Sequence, residues 1–149
     1  MTTISHTAVA RVLVGTAFAY VADYRTVPDW FFGVSRFVPL GHLDHGLGAC
    51  FDVAIKVGPK AIRTTVEVTE FEPDRLITLQ SQGTHGAVSR WTFAPGVDVG
   101  TTALSAEFVY SLPGGFAGRA LGALVDPFAT QAIRATDAAL RRNLERAAG

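Results

Sequence analysis

The sequence predicts an α+β fold in which a seven-stranded, curved antiparallel sheet wraps around a long C-terminal helix, with two short helices between strands 1 and 2. Three observations carry this expectation. Strand-like runs separated by turn residues follow one another at even spacing from Val34 to Ser111. A sustained helical period of apolar residues begins only after Gly114-Gly115. Before Val34, two short helical patterns interrupt the strands, the second with Pro28 near its start and Gly33 after its end.

Taken in order, Ser5 to Val14 is rich in β-branched residues and stops at Gly15, which reads as a first strand and a turn. Thr16 is placed to cap a helix through Ala17 to Ala22, where Phe18 and Val21 lie one turn apart on one face and Asp23 marks the exit. Val27 to Phe32 forms the second short helix. Six strands then follow near Ser35 to Leu40, Ala49 to Val57, Ala61 to Phe71, Arg75 to Gln82, Val88 to Ala94 and Thr101 to Ser111. The Gly, Pro and Asp residues between them suit tight reversals, so successive strands are expected to be antiparallel neighbours. The final helix runs from near Phe116 to about Arg146, its apolar stripe comprising Leu121, Leu124, Phe128, Ala132, Thr136, Leu140 and Leu144. Pro127 predicts a kink or a new start there, with Asp126 as its cap.

Length and composition narrow the function classes. With 149 residues, 48% of them hydrophobic and 17% charged, residues 1–149 are expected to form one domain with a sizeable core. The apolar excess has three readings: a thick core, a face for a second copy of the chain as a homodimer, or an apolar wall around a ligand. Thirteen basic and thirteen acidic residues cancel, and no basic run exceeds Arg141-Arg142, so a nucleic-acid partner is not expected. Cys50, the single cysteine, fits a reducing compartment; no leader pattern stands out and no apolar run approaches the roughly 20 residues of a bilayer span. A cytoplasmic location, with no membrane span, is the expectation.

Strand parity identifies the faces that should meet the helix, because alternate side chains point to opposite sides of a sheet. Leu104, Ala106, Phe108 and Tyr110 share the inward face of the last strand, and Ser89, Trp91 and Phe93 that of the strand before it, leaving Arg90 outside. The middle strands offer Phe51, Val53 and Ile55, then Ile62, Thr64, Val66 and Val68, then Ile77, Leu79 and Ser81. A bulge would reverse any of these assignments. Large aromatics, among them Trp30, Trp91, Phe93, Phe108 and Phe128, either fill the space between sheet and helix or line it.

Reactive constellations are missing from the pattern. His6, His42, His45 and His85 are scattered, and the shared turn of His42, Asp44 and His45 reads as a solvated loop, so neither a metal site nor a cofactor is expected. No phosphate-cradling loop or nucleophile elbow is present.

The element order, together with the runs Ala17-Phe18-Ala19-Tyr20-Val21-Ala22-Asp23, Val27-Pro28-Asp29-Trp30, Val68 to Leu76, Trp91-Thr92-Phe93, Gly100-Thr101-Thr102 and Leu112-Pro113-Gly114-Gly115, resembles the START-like or SRPBCC superfamily over nearly the whole chain. More narrowly it is similar to the bacterial polyketide cyclase/dehydrase and lipid-transport group. These motifs speak to architecture, not to a reaction. The resemblance implies a helix-grip cavity between sheet and terminal helix that binds a small hydrophobic molecule, such as a lipid, polyketide or aromatic compound, as carrier or sensor. Its expected lining is Trp30 from the second short helix; Phe51, Val53, Ile55, Val66 and Leu79 from the middle strands; Ser89, Trp91, Phe93, Phe108 and Tyr110 from the last two; and Leu121, Leu124 and Phe128 from the terminal helix. The alternative implied is a polyketide cyclase or dehydratase using polar cavity residues. Thr64, Ser81, Ser89, Tyr110, Glu70 and Gln131 are its candidates, with Tyr110 or Glu70 for proton transfer.

Overall fold

Strand β1 (Thr2–Ala10) lies beside the last strand rather than the next one, so the chain must cross the face of the sheet before the meander begins. The computed structural model describes residues 2–57, 59–82, 87–110 and 131–146, with backbone alone at Thr2, Val57, Lys60 and Tyr110. The crossing carries helix α1 (Val14–Ala22), a 3-10 turn (Tyr24–Thr26) and the one-turn helix α2 (Val27–Trp30). Then come β2 (Val34–Pro39), β3 (Cys50–Val57), β4 (Lys60–Glu72), β5 (Leu76–Ser81), β6 (Ala87–Pro95) and β7 (Thr102–Tyr110). All seven strands form one antiparallel sheet in the order β1-β7-β6-β5-β4-β3-β2, and residues 131–146 form a helix, here α3. This is the helix-grip arrangement that the sequence predicts. The beginning of the terminal helix, with Asp126 and Pro127, lies outside the described residues.

The first strand ends four residues earlier than its β-branched run suggests. Its partner runs out there: Ala10 pairs with Thr102, the first residue of β7. The backbone turns at once, with Val12 N–H donating to the Ala10 carbonyl at 3.0 Å, and the carbonyl of buried Val12 accepts from the Thr102 hydroxyl at 2.7 Å. Helix α1 therefore starts at Val14, with Leu13 at its N-cap, and Thr16 sits inside the helix instead of capping it. Ala17, Phe18 and Val21 form its buried face.

A bulge in β4 changes one face assignment. Val68 pairs with Leu79, but the next pairs are Glu70 with Thr78 and Phe71 with Ile77, so Thr69 is the extra residue. Phe71 is thereby turned inward beside Phe18, ring centroids 5.4 Å apart. Glu70, which simple alternation places with Val68, is turned outward instead.

The core concentrates at the end of the sheet marked by Ala10, Pro95 and Leu76. There Phe18 meets Phe71 and Phe93, and Trp30 meets Trp91 edge-on at 5.2 Å. The second half of α3 is locked onto this end by Leu140 and Leu144, both essentially inaccessible. Asn143 Nδ2 donates to the Tyr20 hydroxyl at 3.1 Å, and the Arg11 backbone N–H to Glu145 at 3.0 Å. Among the described residues no helix is long and apolar enough to cross a membrane.

Candidate functional site

The opposite half of the sheet, toward Ser81, Ala87 and Tyr110, does not close on the helix in the same way. A cavity of about 240 Å³ separates them. Its floor is built by alternation: Val53 and Ile55 of β3, Thr64 and Val66 of β4, Leu79 and Ser81 of β5, Ser89 of β6 and Phe108 of β7 all project to the same side. Its roof is the first turns of α3, through Ala132, Ile133 and Thr136. The bend after α2 closes one side with Phe31, Phe32 and Val34.

The described wall carries no ionisable side chain. Its polar groups are hydroxyls, and two of them are already engaged. Ser81 Oγ accepts the Ala87 backbone N–H at 2.7 Å, and Thr136 Oγ1 accepts that of Phe32 at 3.0 Å. The second bond also ties the roof to the chain entering β2.

The residues anticipated from the sequence divide between this cavity and the packed end. Val53, Ile55, Val66, Leu79, Ser89 and Phe108 line the cavity. Trp30, Phe51, Trp91 and Phe93 lie in the core, each no more than 3% exposed. Trp30 Nε1 donates to Thr26 Oγ1 at 3.0 Å, and Phe51 stacks on Phe37 at 4.7 Å. Phe51, Trp30 and Trp91 also border a cleft of only about 30 Å³ on the packed side. Leu121, Leu124, Phe128 and the side chain of Tyr110 lie outside what is described. Several wall residues escape the sequence reading, among them Ile4, Phe31, Val34 and Ile133. Ile4 was missed because the sequence reading starts the first strand at Ser5, whereas β1 begins at Thr2 and pairs Ile4 with Phe108.

Of the polar candidates, Thr64, Ser81 and Ser89 line the cavity, whereas Glu70 and Gln131 are not among its described wall residues. Glu70 lies on the outer face, 44% exposed, taking hydrogen bonds from Arg90 at 2.8 Å and Thr78 at 3.0 Å. The Arg90 guanidinium, helped by Thr78, holds its carboxyl below the usual carboxylate range, so it is an ion-paired carboxylate on the face of the sheet away from the cavity. Gln131 is exposed.

Comparison with known proteins adds the family. The family described as Polyketide cyclase / dehydrase and lipid transport matches residues 1–145. The chain belongs to that family. Among solved structures, a protein of Thermus thermophilus is similar with a TM-score of 0.82 and 14% identity, covering 99% of this chain and 100% of its own. A START superfamily protein from Mycobacterium smegmatis is similar at 0.75 and 17%, covering 97% of each chain. The Zhui aromatase/cyclase from Streptomyces sp. R1128 is similar at 0.72 and 18%, covering 97% of this chain and 94% of its own. At these identities the likeness is one of fold. Among curated proteins nothing matches.

Proposed function

We propose that this family member binds a small, uncharged, hydrophobic molecule in the cavity beneath the first turns of α3, as a carrier or sensor. The observation that carries the reading is an apolar cavity whose described wall holds hydroxyls but no charge. An ionised ligand group placed there would lose its hydration with no counter-charge to replace it, whereas a neutral guest gains by burying apolar area. Size sets the class further. A cavity of about 150 Å³ accommodates benzene, so this one suits a guest of one or two rings or an equivalent chain.

The contacts proposed are Val53, Ile55, Val66, Leu79 and Phe108 for shape, with Ser89 placed to orient one polar atom of the guest. Residues 1–149 are proposed to act as one ligand-binding domain. The cyclase reading is the weaker one on this geometry. Its carboxylate candidate, Glu70, lies outside the cavity, and serine and threonine hydroxyls titrate too far from neutrality to serve alone as acid or base.

Native mass spectrometry of gently purified protein, followed by a screen of neutral aromatics and lipids, tests the proposal. A retained ligand or a binder displaced by cavity-filling Val66→Phe is expected. Neither a ligand nor a binder in such a screen would contradict it.

A further inference from the structure

Beside the main cavity, behind Phe108, Ile133 and Thr136, lies a second and much smaller pocket of about 20 Å³. Where the large cavity is lined by hydrocarbon and hydroxyls, this one gathers His6 of β1, Trp91 of β6, and Thr136 and Asp137 of α3. The sheet register brings the first two together across one row, His6 pairing with Ala106 and Ala106 with Trp91.

Two ring nitrogens on the side chains bordering this pocket are left over. Trp91 is 2% exposed, and its Nε1 has no hydrogen-bond partner among the described residues. His6 Nε2 is likewise buried, lying 3.3 Å from Asp137 Oδ1 but without the alignment of a hydrogen bond. A buried indole N–H normally has an acceptor, so Trp91 Nε1 asks for a partner, while His6 Nε2 keeps its contact with Asp137. The volume limits that partner. A water-sized sphere needs roughly 10–15 Å³, so the pocket takes one oxygen atom and no carbon skeleton.

The surrounding groups then fix its charge. Thr136 Oγ1 already accepts from Phe32 and keeps its own O–H to give. Trp91 can only donate. Asp137 can only accept when ionised, and Arg141 lies 3.5 Å from its other oxygen. An anion would be repelled by Asp137, and a cation would face the Trp91 N–H. A neutral oxygen that accepts from Trp91 and Thr136 and donates to Asp137 satisfies all three.

We propose that this pocket is a binding site for one neutral hydroxyl-type oxygen. Its two sources are water and the hydroxyl of an alcohol or phenol lodged in the adjoining cavity; the second source rests on the ligand-binding reading above. The shared walls at Phe108, Ile133 and Thr136 put the pocket one side chain away from a guest.

Crystals of the free protein at high resolution decide the first source. An oxygen peak within hydrogen-bond distance of Trp91 Nε1 is expected, and a pocket without one overturns the site for water. Crystals and titrations with naphthalene and 2-naphthol decide the second. If the ligand is the source, the naphthol oxygen occupies the pocket, and 2-naphthol binds roughly tenfold more tightly than naphthalene, a preference lost in Trp91→Phe. Should Trp91→Phe fail to fold, the complex crystal and the shift of the Trp91 indole N–H resonance, assigned with Trp30→Phe, carry the same information. Equal affinities with the water retained assign the site to water. No oxygen beside Trp91 in any crystal overturns the proposal, even if naphthalene binds and the carrier reading stands. Failure of both compounds to bind counts against the carrier reading, and the free-protein crystal still decides the site.

Discussion

Thr102 shows how much a single buried hydroxyl can govern. It is 1% exposed, and its Oγ1 donates to the Val12 carbonyl at the point where β1 turns into α1. Thr102→Val keeps the shape but leaves that carbonyl without a donor, and the expected loss is about 1–3 kcal/mol in a urea titration. Little of this was legible beforehand. The parity of β7 gives Thr102 an inward position, but a tight turn two residues past the end of another strand leaves no periodic trace in the sequence. The same is true of Glu70: its type suggested a proton-transfer group, and only the extra residue at Thr69 turns it to the outer face. A one-residue insertion in a strand is invisible to composition and reverses everything beyond it.

Helix α3 behaves as two halves, and the division is a property of the element. Leu140 and Leu144 are packed solidly, so Leu140→Ala is expected to cost about 2–5 kcal/mol through lost burial and a new void. Ile133 faces a space that already exists, so Ile133→Ala should cost clearly less, under about 2 kcal/mol, while weakening ligand binding. Equal losses at the two positions would contradict the two-halves account. The outer face of the sheet makes a different prediction. Arg90 lowers the Glu70 carboxyl and Arg36, with Arg63, lowers that of Asp52, both sites being solvent-facing. Folded values below unfolded ones mean that this stabilisation is present above roughly pH 4 and is lost as pH falls through the folded values. Urea midpoints measured from pH 6 down to pH 3 should therefore fall, and less steeply in the Glu70→Gln, Asp52→Asn double variant. The element order was readable because alternation and helical period are strong signals over many residues. Which inward side chains meet a void was not. That depends on how α1 and α2 lie over the sheet, and their packing draws Trp30, Trp91 and Phe93 into the core while Val66 and Leu79 are left facing open space.

At the scale of the whole molecule, the sheet, α1 and the second half of α3 share one aromatic and aliphatic core. Heating is therefore expected to give a single cooperative transition, with calorimetric and van't Hoff enthalpies in agreement; two resolved transitions would separate the half that holds the cavity from the packed half. A neutral guest should raise the midpoint by binding the folded state alone. The family likeness speaks for the architecture, and the proposed function rests on the cavity. The most direct test of that link is a crystal pressurised with xenon, an apolar probe with no other recognition chemistry. The account predicts a xenon peak enclosed by Val53, Val66, Phe108 and Ile133. A site without xenon, its volume taken up by the Phe108 ring and the first turns of α3, would contradict it.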